Sequence, residues 1–297
     1  MQKALITGAR GFVAHYLIKE LLYHNYFVIG TGKDSTPFGI NQANFIYEKM
    51  DFTNKEEVSE IINKYKPDII IHCGAISKPD ECELHKENAF LVNVTGTINL
   101  LQQAAKWQSF FIFLSTDFVF DGKKGMYKED DERSSVNYYG ETKILAEDEV
   151  CKYRYKWTIV RTVLVYGKSL NSRQNIVTMV ASALRKGEKL NIFNDQIRTP
   201  TFVKDIAKGI TTIVIKGVTG IYHISGKDIL TPYEIAISVA DYLHLDRSLI
   251  NPVTEFSFSQ PAKRPLKTGF NINKASDQLN YQPVSFEEGL FQTLEMP

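Results

Sequence analysis

Three side chains of complementary chemistry fall between residues 110 and 143: Thr116, Tyr139 and Lys143. Tyr139 and Lys143 are four apart, so on a helix they share one face. A phenol ordinarily titrates near pH ~10 and is a poor proton donor or base at neutrality. A cation one helical turn away stabilises the phenolate and lowers that pKa. Thr116 adds a second hydrogen-bond donor for the same substrate oxygen. Hydroxyl, tuned phenol and ammonium together suit a carbonyl that gains or loses a hydride. Tyr-x-x-x-Lys alone is more often an ordinary amphipathic pair. Here it is joined by the strand end Ser115-Thr116-Asp117 and by a nucleotide fingerprint at the N-terminus, so several levels agree.

These groups need elements to position them. Residues 110–114 are an unbroken apolar run, which reads as a buried parallel strand. Thr116 and Asp117 then stand at its C-terminal end, where open α/β sheets bind ligands. At the start of the chain, residues 4–6 form a short strand. Thr7-Gly8-Ala9-Arg10-Gly11-Phe12-Val13-Ala14 follows, then an apolar-periodic helix from about 15 to 24. Strand, glycine turn and helix N-terminus make a phosphate site from backbone N–H groups and the helix dipole. Ala14 stands where a third glycine is common and still permits close packing.

The second strand covers 27–31. After Thr31, no acid appears until Asp34, where NAD enzymes place one on the adenosine ribose. Arg10 and Lys33 are two cations that fit a 2′-phosphate, so the pattern favours NADP. The alternative is that Lys33 is solvated and Asp34 serves NAD. Asp51 and Phe52 follow a third strand, placed to frame the adenine. Residues 58–65 read as a helix, and 68–75 as a strand running into small residues, with His72 a packed strand-end histidine. Residues 77–83 read as a polar loop. Residues 87–107 read as one long helix whose interior Asn93 and Gly96 hint at a kink or a functional demand.

The C-terminal third reads as the substrate side, with helices over 175–185, 205–215 and 231–243 and strands over 190–193, 198–203 and 220–226. Thr231 and Pro232 open the last helix as N-cap and first-turn proline. Arg198 and Arg264 are assigned to a diphosphate, because guanidinium binds phosphate bidentately; two surface arginines are the plainer alternative. Phe256-Ser257-Phe258 reads as local packing. The expected fold is α/β: a doubly wound parallel-sheet Rossmann domain over 1–166, with 199–227 returning to it. A smaller α/β substrate part takes 167–198 and 228–297.

The 297 residues carry a net charge of +1, which gives no basic excess for nucleic acid or an anionic membrane. No apolar run approaches a membrane span, and no signal peptide is expected. Cys73, Cys82 and Cys151 are odd in number and lack zinc spacing, so reduced thiols, a cytoplasmic location and no metal are expected.

The chain resembles an extended short-chain dehydrogenase/reductase over essentially its whole length. The markers are Thr7-Gly8-x-x-Gly11-Phe12, Asp51, Asn93-Val94-x-Gly96-Thr97, Ser115-Thr116-Asp117 and Tyr139-x-x-x-Lys143. Within that family it is most similar to the dTDP-4-dehydrorhamnose reductases, through 115–122, Arg161-Thr162-x-x-Val165-Tyr166, Asn194-Asp195-Gln196, Arg198-Thr199-Pro200-Thr201 and Arg264-Pro265. The resemblance implies Tyr139 as proton donor to a keto oxygen and Lys143 on the nicotinamide ribose. It implies Thr116 on the same substrate oxygen, Asp117 on the sugar, and Asn93 positioning Lys143 through water. Gly8, Arg10, Gly11, Phe12 and Val13 would line the phosphates, Thr31, Lys33, Asp51 and Phe52 the adenosine, and Ala75 the cofactor face.

Two positions depart from the rhamnose enzymes. Leu164 replaces a Trp that packs on the sugar, and Tyr16 stands where metal-bridged dimers carry Glu. Phe118 occupies the position of the catalytic Glu of the family's dehydratases, which argues against dehydration. The leading expectation is a reductase of a keto group on a nucleotide-linked sugar, possible as a homodimer. The alternatives are a related epimerase, a carbonyl reductase for another small substrate, or a non-catalytic dinucleotide-binding regulatory subunit, as in the similar methionine adenosyltransferase β subunits.

Overall fold

The computed structural model describes residues 1–35, 39–169, 174–257 and 260–295. Eleven strands lie among these residues: β1 Lys3–Thr7, β2 Phe27–Gly32, β3 Phe45–Lys49, β4 Ile69–His72, β5 Phe110–Thr116, β6 Trp157–Thr162, β7 Val165–Tyr166, β8 Leu190–Phe193, β9 Thr201–Phe202, β10 Gly220–His223 and β11 Ile250–Val253. The α-helices are α1 Phe12–Tyr23, α2 Lys55–Tyr65, α3 Pro79–Leu84, α4 Lys86–Phe90, α5 Gly96–Trp107, α6 Tyr138–Cys151, α7 Ile176–Arg185, α8 Val203–Lys216, α9 Pro232–Tyr242, α10 Asn273–Leu279 and α11 Phe286–Leu294.

Seven strands form one parallel sheet in the order β10-β6-β5-β4-β1-β2-β3. Alternation along each strand sends side chains to two opposite cores. Ile69 and Ile71 of β4 pack with Leu17 and Leu21 of α1 and Ile206 and Ile210 of α8. Ile70, between them, packs with Ile61 of α2, Leu100 of α5 and Val150 of α6. Helices therefore cover both faces, which is why the strands are apolar throughout. The chain re-enters this sheet late: Ile221 of β10 lies opposite Ile159 of β6, and α8 packs against α1. The smaller part has its own core, in which Val180 and Leu184 of α7 meet Ile235 and Val239 of α9 and Leu290 of α11, beside the parallel pair β8–β11.

Helix entry follows the capping residues. Asn54, Asn175, Thr231 and Ser285 each accept a backbone N–H of the following first turn. Four local expectations are corrected. Residues 77–83 are not all loop, because Pro79 at the first position and Asp80 and Glu81 in the first turn start α3. The 87–107 stretch is not one regular α-helix: a π-helical turn, Leu91–Thr95, separates α4 from α5 and contains Asn93. The strand expected over 198–203 shrinks to β9, and α8 starts at Val203. Phe256 does not pack locally but is 99% exposed; Phe258 lies outside the described residues. Among the described residues no helix is long and apolar enough to cross a membrane.

Candidate active site

β5 ends at Thr116, and α6 begins with Tyr138, capped by Asn137, whose side chain accepts the Gly140 N–H at 3.0 Å. This brings Thr116, Tyr139 and Lys143 together, all buried. The Tyr139 and Thr116 hydroxyls hydrogen-bond. Gly140 admits no side chain, since a Cβ there would lie 2.0 Å from the Phe118 carbonyl oxygen. That contact seats the start of α6 on the turn after β5.

The electrostatics differ from the expected tuned phenol. Burial raises the Tyr139 pKa, and the Thr116 hydrogen bond only partly opposes it. Lys143 turns its Nζ to the Leu114 carbonyl oxygen at 2.8 Å and lies 3.8 Å from the centre of the Phe113 ring. Burial lowers its own pKa to about 7, against the pull of Glu147. In the free chain, burial disfavours the charged form of both groups, so the lysine does not offset the rise at Tyr139. Tyr139 is thus a protonated hydroxyl, the state a proton donor needs.

The π-turn accounts for Asn93. Its Oδ1 accepts the Ile76 N–H at 2.9 Å, and its Nδ2 donates to the Ile76 carbonyl at 3.1 Å and to Thr142 Oγ1 at 3.0 Å. The loop after β4, which carries Ala75, is thereby tied to the helix of Tyr139. Gly96 is required by packing, because a Cβ there would lie 2.5 Å from the Phe52 ring. His72 lies between Thr7 at 2.6 Å and Thr97 at 3.1 Å, and burial lowers its pKa to about 3. It is a neutral packing histidine.

The glycine turn fits a dinucleotide. Gly8 has φ 63°, and a Cβ on it would lie 2.8 Å from Gly74 Cα. Gly11 caps α1 with no side-chain hydrogen bond, so no capping side chain occupies the first-turn N–H groups. Phe12 and Val13 open α1, with Val13 packed on the core. Around the adenosine position the cations sit with acids: Arg10 is 2.8 Å from Asp34, and Lys33 is 3.1 Å from Asp51. Two residues expected there are used differently. Thr31 gives its hydroxyl to the Ile6 carbonyl, which holds β2 to β1. Phe52 is a core ring edge-on to His72.

On the substrate side, Asp117 is buried, accepting from Thr116 Oγ1 at 3.1 Å and from Thr268 Oγ1. Burial raises its pKa even though Arg198 is near. Arg198 corrects the diphosphate assignment. Its guanidinium donates to the carbonyls of Ile197, Leu266 and Pro265 and to Gln196 Oε1, so it braces the chain. Arg264 holds Asp80 with two hydrogen bonds, at 2.6 and 2.7 Å. Leu164 is half-buried with φ 35°, an unusual backbone state for a branched residue, and touches two apolar clusters.

Sequence reasoning missed Thr142, Cys82 and Thr268. Thr142 lay inside the Tyr-x-x-x-Lys motif and was findable there. Cys82 packs on Tyr139 from α3, a helix not expected. Thr268 reaches Asp117 from 151 residues away, with no motif to signal it.

The sequence family described as the RmlD substrate binding domain matches residues 2–296. The chain belongs to that family. Its structure is that of an extended short-chain dehydrogenase/reductase. It is similar to a dTDP-4-dehydrorhamnose reductase from Bacillus anthracis in complex with NADP, at TM-score 0.87 and 28% identity over 99% of each chain. It is 31% identical to methionine adenosyltransferase 2 subunit beta of Xenopus laevis, over 99% of this chain and 87% of that protein. It is 27% identical to a probable low-salt glycan biosynthesis reductase of Haloferax volcanii, over 97% and 95%.

Proposed function

We propose that this chain is an NADPH-dependent reductase of a keto group on a nucleotide-linked sugar. The observation that carries the reading is the buried convergence of Thr116, Tyr139 and Lys143 at the C-terminal end of the parallel strands, where the glycine turn also lies. The turn from Gly8 to Val13 would hold the dinucleotide phosphates, Arg10 and Lys33 the 2′-phosphate, and Lys143 the ribose. A dinucleotide held there would supply the hydride for the carbonyl carbon. Tyr139 gives its proton to the carbonyl oxygen, with Thr116 as second donor. Lys143, protonated, would stabilise the phenolate left behind. Phe118, its ring centre 5.7 Å from that of Tyr139, and Cys82 pack beside the Tyr139 side chain. Phe118 also offers no carboxylate for dehydration.

The test is NADPH oxidation by the purified chain against a panel of nucleotide-linked 4-keto sugars. Turnover of at least one is expected; none across dTDP-, UDP- and GDP-linked substrates would sink the reading. A regulatory role is the second reading, favoured by the match to methionine adenosyltransferase 2 subunit beta over 99% of this chain. It predicts no keto-sugar turnover and co-elution with a methionine adenosyltransferase catalytic subunit.

A further inference from the structure

Asp80 is held by three donors. Arg264 gives it both terminal nitrogens, and the Ala262 N–H donates to the same Oδ1 at 3.0 Å. Guanidinium fork plus backbone amide is the donor set that receives a phosphate oxyanion. The carboxylate filling it comes from α3, whose Cys82 packs on Tyr139.

The cradle is fixed close to the chemistry. The Lys263 carbonyl accepts Asn137 Nδ2 at 2.7 Å, and Asn137 caps the helix of Tyr139. Gly122 abuts the next residues so closely that a Cβ would lie 2.5 Å from the Leu266 nitrogen. Arg198 holds the Pro265 and Leu266 carbonyls, and Thr268 reaches Asp117. Residues 262–268 thus run as a strap between two acids that flank Tyr139 and Thr116. Its middle and far end are anchored by buried groups, while at the near end Asp80 is 37% exposed. From Lys263 onward the strap is therefore braced independently of Asp80, while Ala262 is held by Asp80 and Arg264.

We propose that Asp80 is a resident counter-anion, and that the phosphate group of a nucleoside diphosphate displaces it from Arg264 and the Ala262 N–H. The proposal rests on the nucleotide-sugar reading and deepens it, making Asp80 an affinity-determining residue at the substrate end. A carboxylate in the cradle costs an incoming anion the pair it must break. It also gives selectivity, because only a ligand with more negative charge than the carboxylate gains by the exchange.

The test is calorimetric titration of the NADPH-loaded full chain with dTDP, UDP and inorganic pyrophosphate. Asp80→Asn keeps the shape and removes the charge. It should bind a nucleoside diphosphate about two- to fivefold more tightly, the range of a part-exposed ion pair. Adding Arg264→Gln should erase the gain. Asp80→Ser serves as the second variant, and retained NADPH affinity and melting temperature certify the fold. Unchanged or weaker binding of all three anions in both Asp80 variants would overturn the proposal, whatever the keto-sugar assay shows. A gain for pyrophosphate alone would support the cradle while counting against a nucleoside diphosphate substrate.

Discussion

At the dinucleotide end of the site, α1 begins on a glycine whose neighbours leave backbone amides for a ligand. At the substrate end, Arg198 and Arg264 already give their donors to carbonyls and a carboxylate of the same chain. The first end is built by local backbone geometry: a tight turn, a glycine in the left-handed region, a helix start. The second is built by contacts between segments far apart in sequence, such as Asp80 with Arg264 and Asp117 with Thr268. The glycine turn leaves its amides to a ligand, whereas the cations at both ends, Arg10 and Lys33 as much as Arg264, already hold acids of the same chain. Between them lies Tyr139, kept protonated by burial.

Removing the proton donor is the sharpest way to separate the ends, because it should leave binding intact at both. Tyr139→Phe deletes only the hydroxyl. A lost general acid costs typically about 10²–10⁴-fold in rate. We expect kcat to fall by that factor, with NADPH affinity within about twofold. A near-normal rate would remove Tyr139 from the mechanism.

Lys143 gives the next largest effect, through pH. Its folded pKa is depressed to about 7, so the free protein loses this cation as pH rises through 7. The protonated form is the one that stabilises the phenolate. We expect kcat/KM to fall about tenfold per pH unit above about 7, since that parameter reports the free enzyme. The linked stability runs the other way. Between about 7 and the unfolded value near 10.4, the unfolded chain binds more protons, so folding stability rises with pH. A profile flat from pH 6 to 9 would show that Lys143 stays charged in its pocket.

These contrasts also separate what the sequence discloses from what it hides. The glycine turn, the strand ending at Thr116 and the Tyr139–Lys143 pair are local patterns, and each was readable. Asn93 and Gly96 were visible as poor helix residues. Their cause, a π-turn holding Ile76 and a ring beneath Gly96, needed the packing of Phe52. Arg198 looked like a phosphate ligand because composition cannot show which carbonyls surround a guanidinium. The Asp80–Arg264 pair spans 184 residues, and no periodicity encodes it.

The adenosine pocket tests how far the dinucleotide end is prebuilt. Arg10 and Lys33 already sit on Asp34 and Asp51, so cations and acids balance there. We expect NADPH to bind more tightly than NADH. Arg10→Ala with Lys33→Ala should erase that preference and leave Asp34 for the ribose hydroxyl of NADH. Two charge-assisted contacts of about 1.5 kcal/mol or less each after screening amount to roughly ten- to a hundredfold in the affinity ratio. Fluorescence titration with both nucleotides measures it. Tighter NADH in the unmodified chain would reverse the assignment.

A smaller effect is expected at Leu164, where the substrate end departs from the rhamnose enzymes. We predict poor reduction of dTDP-4-dehydrorhamnose and preference for another nucleotide-linked keto sugar. An aromatic ring offers a flat apolar face that Leu cannot reproduce, and the missing contact is worth about 1–2 kcal/mol. That is roughly ten- to thirtyfold in kcat/KM, at a factor of ten per ~1.4 kcal/mol. Nearby aromatics do not fill in. The Tyr166 ring is buried against Phe202 and Phe286, and Phe118 packs on Tyr139. Leu164→Trp keeps the same positive-φ demand on a non-glycine residue, so backbone strain does not confound the comparison. Leu164 is half-buried between two apolar clusters, which leaves part of its surface for the larger ring. We expect Leu164→Trp to raise kcat/KM for dTDP-4-dehydrorhamnose mainly through KM, since stacking acts on the bound sugar before as well as during hydride transfer. Efficient turnover of that sugar by the unmodified chain, unimproved by Trp, would show that Leu164 does not set the preference and that dTDP-4-dehydrorhamnose itself is the substrate.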